Sequence, residues 1–106
     1  MAQKNERELI KKDLLEQLKE KGLTRKYYIS LVDDYMTLWD LKNQLSDNIK
    51  ENGVMLTYNH GGGQSGQKKN DCVPEFYRVN KQMLSLLSEL GLRGANVEPE
   101  KEEFEL

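Results

Sequence analysis

The amino-acid sequence predicts an all-α fold: three helices with a long antiparallel helix pair, a Gly-rich loop or short β-hairpin between the second and third, and a disordered acidic tail. Three observations carry that expectation. Apolar residues recur at three- and four-residue spacing over three long stretches, the signature of one-sided helices. Glycine follows each stretch, at Gly22, Gly53 and Gly91, and glycine readily takes the left-handed conformation in which helices close. Of the 106 residues only 37% are hydrophobic while 32% are charged. With so thin an apolar supply, either long helices bury narrow stripes or other copies of the chain complete the core.

The first helix has Asn5 as its expected cap, with Glu8 closing a capping box. Leu9, Ile10, Leu14, Leu15 and Leu18 form its apolar stripe, and Gly22 its stop. Thr24 is the expected cap of the second helix, because its hydroxyl can accept a backbone N–H left without a partner in the first turn. Tyr28, Leu31, Val32, Tyr35, Leu38, Trp39, Leu45 and Ile49 then make a stripe about 40 Å long at 1.5 Å per residue. Residues 54–70 change character: Val54 to Tyr58 is short, apolar and partly β-branched, and a glycine-rich tip follows. The third helix is expected from about Asp71, its cap, to Leu90, with Pro74 harmless in the first turn. Val73, Phe76, Tyr77, Met83, Leu84, Leu87 and Leu90 are its expected inner face, widened by Val79 and Leu86. The domain reading is one helical domain over 1–92, carrying a Gly-rich insertion at 54–70, followed by a flexible acidic C-terminal tail over 93–106.

Catalytic chemistry finds little to work with, and no enzyme is expected. Gly61 and Gly66 have the mutual spacing of a phosphate-binding loop, but Gln67 and Lys68 stand where Lys followed by Ser or Thr is needed. Cys72 and His60 are the only soft ligands, too few for a metal site, and no cofactor is implied. His60 sits in a glycine-rich segment that would not hold a general base within reach of its proton. Asp33 and Asp34 are neighbours on a helix and point about 100° apart, which suits a polar face and not an acid–base pair. One cysteine, no apolar run of membrane-spanning length and no signal-peptide core lead to the expectation of a soluble cytoplasmic protein without a membrane partner.

Charge is uneven along the chain. Residues 1–26 hold eight Lys/Arg against five Asp/Glu, whereas the last twelve hold five Glu against one Lys. Two helices joined through Gly22, Leu23 and Thr24 suggest a helix-turn-helix, with Arg25 and Lys26 where the second helix would meet DNA. Lys19 and Lys21 precede the turn. Lys68 and Lys69, beside the glycine tip, are a second candidate phosphate contact. Asp33, Asp34 and Asp40 on the same helix weigh against DNA, and the net charge of -2 offers no global attraction.

Three stretches in order resemble a known family. They are Tyr28-Ile29-Ser30-Leu31-Val32-Asp33-Asp34-Tyr35-Met36-Thr37-Leu38-Trp39, then Gly53 through Lys69, then Asn80-Lys81-Gln82-Met83-Leu84-Ser85-Leu86-Leu87-Ser88-Glu89-Leu90-Gly91-Leu92. Together they resemble the short phage or prophage terminase small subunits, over roughly residues 24–92. The departures are Pro74, which stands four residues after Asn70 where relatives often place Pro directly after Asn, and the stretch after Leu92, which lacks the Thr-Pro and Arg element of relatives. The resemblance implies a non-catalytic DNA-packaging protein of the bacterial host cell. It would recognise double-stranded viral DNA, form homo-oligomers, and regulate a large terminase subunit that carries the ATPase and nuclease. No residue-level DNA site is carried over. From stripe width, the oligomer contact is expected at Leu38, Trp39, Leu45, Met83 and Leu86. The competing expectations are a small helical adaptor that binds only protein and a prophage helix-turn-helix transcription regulator.

Overall fold

The computed structural model describes residues 2–59 and 65–92, with side chains described from 5 to 58 and from 66 to 92. Its elements are α1 (Ala2–Glu20), α2 (Lys26–Asn52), β1 (Met55–Asn59), β2 (Ser65–Lys69) and α3 (Cys72–Glu89). The fold is mostly α, with three helices as expected, and the segment between α2 and α3 is a hairpin. His60, Gly61, Gly62 and Gly63 of the expected glycine tip, and the expected tail from Arg93 to Leu106, lie outside the described residues.

By contacts the chain divides into two compact units, residues 1–34 with 84–106 and residues 35–83, so that α2 and α3 each contribute to both. In the first, Leu14 and Leu18 of α1, Val32 of α2, and Leu90 and Leu92 after α3 are buried. In the second, Met36 and Trp39 of α2 and Val79 and Met83 of α3 are buried. Within this second unit α2 and α3 run antiparallel. Lys42 Nζ donates to Asn80 Oδ1 at 2.8 Å and lies 5.6 Å from the Phe76 ring centre, while Asn48 further along α2 meets Asn70 just before α3. Tyr35 is half-buried, and burial raises its phenol above the ordinary 10.0 by disfavouring the phenolate.

The glycine stops take the expected form. Gly22 has φ 77° and Gly91 φ 74°, and each is followed by a leucine whose N–H reaches back to a helical carbonyl: Leu23 to Leu18 at 2.9 Å and Leu92 to Leu87 at 2.8 Å. With the Gly22 to Lys19 and Gly91 to Ser88 bonds, both are Schellman closures that satisfy otherwise unpaired carbonyls. Gly53 (φ 79°) ends α2 with a single bond to Ile49 O.

The helix starts differ from expectation. α1 begins at Ala2, which puts Asn5 inside the helix and not at its cap. The first carbonyl of α2 to accept is that of Arg25, from Ile29 N–H, so the cap position falls one residue after Thr24. At α3 the backbone cap is Asp71, but the side chain that serves the helix end is Asn70, whose Oδ1 accepts Cys72 N–H at 2.9 Å. Two faces are also rotated from the expected ones. Leu9 is exposed on α1, and on α3 Tyr77 and Leu84 are exposed while Val79 is buried. Periodicity gives a width of arc, and which part is covered depends on what packs against it.

β1 and β2 pair antiparallel with Met55 opposite Lys69, Leu56 opposite Lys68, Thr57 opposite Gln67 and Tyr58 opposite Gly66. The Tyr58 ring lies across Gly66, where a Cβ would stand 2.7 Å from the hydroxyl. Gly66 is thus a strand residue covered by a cross-strand aromatic, and no part of a phosphate-binding loop.

Candidate nucleic-acid interface

The corner between α1 and α2 gathers the positive charge singled out in the sequence. Lys19 closes the last turn of α1, Lys21 follows it, Arg25 caps α2 and Lys26 opens it. All four side chains are exposed, and none meets a carboxylate within 4.0 Å among the described residues. Their relation to the helix ends is asymmetric. Lys19 and Lys21 complement the negative C-terminal end of α1 and would be placed there for stability alone. Arg25 and Lys26 sit at the positive end of α2, whose first turn holds no acid, and there a cation is mildly unfavourable. A positive helix end and two cations share one exposed place, an arrangement suited to an anion such as phosphate.

One ion pair bridges the two helices of this corner. Lys11 and Asp33 are equally distant in sequence from Gly22, and their charged atoms are 3.2 Å apart. Measured from the helix ends at Glu20 and Lys26, Lys11 lies roughly 14 Å along α1 and Asp33 roughly 11 Å along α2. Helices meeting near a right angle, as in a helix-turn-helix, would hold those positions about 17 Å apart along their axes at that rise. So close a pair fits α1 and the start of α2 folding back beside one another as an αα-hairpin, with the cations at its bend. The ion pair is itself exposed, so it reports geometry and adds little stability. Asp33 and Asp34, set well up the helix, are separated from the bend by more than a Debye length of roughly 8 Å at physiological salt.

Lys68 and Lys69 are both exposed on β2. As neighbours on a strand, they leave opposite faces of the ribbon. Gln67 and Thr57 share a face with Lys69.

The residues expected at an oligomer contact are distributed differently. Trp39 at 9% exposure and Met83 at 4% belong to the protomer's own core, and Leu38, Leu45 and Leu86 are half-buried. The wide stripes of α2 and α3 are largely used within the chain. The large apolar side chains left in solvent are others: Leu9 (65%) and Leu84 (59%) among them, and two that stand at one place, Tyr77 (68%) and Val54 (60%). Those two flank an open groove of roughly 220 Å³, floored by Ile49, Val73 and Phe76 with Lys50 at its rim. The sequence pattern places Tyr77 on the inner face of α3 and Val54 at the start of a strand-like piece.

Among the described residues no three His, Cys, Asp or Glu side chains converge on a point where a metal ion would sit. No helix there is long and apolar enough to cross a membrane. Asp33, one of the two adjacent carboxylates, is engaged with Lys11. His60 lies outside the described residues, and Cys72 is a half-buried free thiol at the start of α3.

Comparison with known proteins gives one family. The family described as phage terminase, small subunit, matches residues 11–97. That span takes in α1 from Lys11, α2, the hairpin and α3. Searches of curated proteins and of solved structures give no match. With most of its length matched, including the αα-hairpin corner and the β-ribbon, the chain belongs to the phage terminase small subunit family, a component of the machinery that packages phage DNA.

Proposed function

We propose that this chain is a non-catalytic, DNA-recognising, self-assembling subunit that regulates the large terminase during packaging of double-stranded viral DNA. The observation that carries the DNA part is the bend between α1 and α2. Arg25 and Lys26 stand at a helix end where cations cost stability, and no acid offsets them in the first turn of α2. Phosphate bound there would turn that cost into binding energy. Self-association is supported by the apolar groove beside Val54 and Tyr77, since exposed apolar surface of this kind marks contact sites more often than bare solvent. The protein-only adaptor shares the groove but has no use for the basic bend. The transcription regulator would need a helix-turn-helix, and the Lys11–Asp33 pair favours a hairpin over that crossing.

A salt titration of duplex binding tests this. The full chain is expected to bind a mixed-sequence duplex at low salt and to release it steeply as salt rises. Arg25→Ala/Lys26→Ala is expected to weaken binding to every duplex alike and to reduce the salt slope by about two. Undiminished, equally salt-sensitive binding by that variant would remove the bend from the interface. An absence of binding by the wild-type chain at low salt would leave the adaptor reading.

A further inference from the structure

We infer that the β1–β2 ribbon reads base edges in the major groove of duplex DNA through the face that carries Met55, Thr57, Gln67 and Lys69. The inference rests on the DNA-binding reading above and adds to it a place where sequence is recognised. The two faces of the ribbon are unlike. On one, Leu56 and Gly66 are half-buried and the Tyr58 ring lies over Gly66. On the other, Met55, Thr57, Gln67 and Lys69 are all exposed, in two directly opposed pairs, Met55 with Lys69 and Thr57 with Gln67. A two-stranded hairpin is marginal by itself, yet this one turns both described pairs of that face to solvent.

The chemistry of that face is not that of the rest of the surface. Elsewhere exposed positions mix both signs of charge, as solubility favours. From Asn52 to Asn70 the sequence contains no Asp or Glu, its longest run without a carboxylate, although acids make up 18 of the 106 residues. What the open face offers instead is an amide, a hydroxyl, an ammonium and one apolar side chain. These are the groups that major-groove edges recognise. A Gln amide can donate to and accept from adenine, a Lys can donate to guanine O6 and N7, a Thr hydroxyl suits either, and an apolar side chain meets the thymine methyl. The dimensions agree as well. B-DNA's major groove, about 12 Å wide, admits a two-stranded ribbon. Residues two apart on a strand are about 6.8 Å apart, close to two base steps at roughly 3.4 Å along one strand. Lys68 leaves the opposite face, which points away from the bases, so that any contact it makes carries no sequence information.

The test is selection from a random-sequence duplex library by the full chain, followed by affinity measurement on selected and unselected duplexes. Wild type is expected to enrich a short sequence. Gln67→Ala/Lys69→Ala is expected to lose that preference, with affinity for the selected duplex falling about tenfold or more and affinity for unselected duplexes falling far less. Both positions are exposed, and an unchanged circular dichroism spectrum and melt would show that the variant folds. Lys68→Ala, on the opposite face, provides the second arm, expected to keep the sequence preference of wild type. Enrichment of the same sequence with the same affinity by Gln67→Ala/Lys69→Ala would overturn the proposal. Binding by wild type without any enrichment would overturn it too, while leaving the basic bend as a DNA contact. No binding of any duplex by wild type would instead defeat the DNA reading itself, and this proposal with it.

Discussion

Asn70 is the one buried polar residue among the described positions, at 2% exposure, and every polar group it owns is engaged. Its Nδ2 donates to Asn48 Oδ1 and to Gly53 O, both at 2.9 Å, and its Oδ1 accepts Cys72 N–H. Its own N–H donates to Val54 O, and its carbonyl accepts Val73 N–H. One side chain thus ties the end of α2, the entry to the hairpin and the start of α3. Asn70→Ala strands the Gly53 carbonyl and the Cys72 N–H in a partly dry place. Unpaired buried groups cost about 1–3 kcal/mol each, and water can reach some of this site, so a loss of about 2–3 kcal/mol in chemical denaturation is expected. Asn70→Asp separates the two halves of the role. The acceptor for Cys72 survives, but an oxygen then faces two oxygens, so the variant should be no more stable than Asn70→Ala at neutral pH. Recovery of full stability by Asn70→Asp would show that only the helix-end bond matters. Nothing local announces this residue, because its partners Asn48 and Gly53 lie 22 and 17 positions away, and Asp71 is the more obvious cap by type.

At the scale of the element, helix ends were legible and strand content was not. A glycine after an apolar period has one common use, and Gly22, Gly53 and Gly91 all have positive φ. The hairpin gave a weaker signal: Met55 to Asn59 is strand-like, whereas Ser65-Gly66-Gln67-Lys68-Lys69 has neither β-branching nor alternation. β2 is a strand because β1 lies beside it, a non-local cause. Glycines at the two kinds of site should respond oppositely to a methyl group. At Gly91 a Cβ would meet nothing within 4 Å, yet φ is +74°, so Gly91→Ala is expected to cost about 1–2 kcal/mol from conformation alone. At Gly66 the backbone takes ordinary strand angles and the obstacle is the far end of the Tyr58 side chain. That ring can swing aside, so Gly66→Ala should cost less than Gly91→Ala in thermal melts. The reverse order would mean that the Tyr58 ring is held firmly over the ribbon and helps to shape it.

For the whole molecule, what matters is which apolar surface is spent inside one chain and which is left over. The width of the stripes on α2 and α3 suggested a surplus containing Trp39 and Met83, but a stripe cannot say whether its second side meets another helix of the same chain or another copy. Here the chain buries both residues itself, and of the apolar side chains left exposed Val54 and Tyr77 stand around the groove. If copies associate through that groove, a charge there should act on assembly and not on folding. Tyr77 is 68% exposed, so Tyr77→Glu removes little from the protomer's own packing but would place an unpaired carboxylate in a closed apolar contact. Native mass spectrometry is expected to show higher oligomers for wild type and predominantly smaller species for Tyr77→Glu, with melts of similar midpoint at low concentration. Trp39 supplies an independent check on where the contact lies. Sheltered by its own chain at 9% exposure, it should keep the same emission maximum as wild type is diluted through dissociation. A shift to longer wavelength on dilution would return Trp39 to the interface and remove the groove from that role, because only a side chain that assembly itself dries can become wet when assembly is undone.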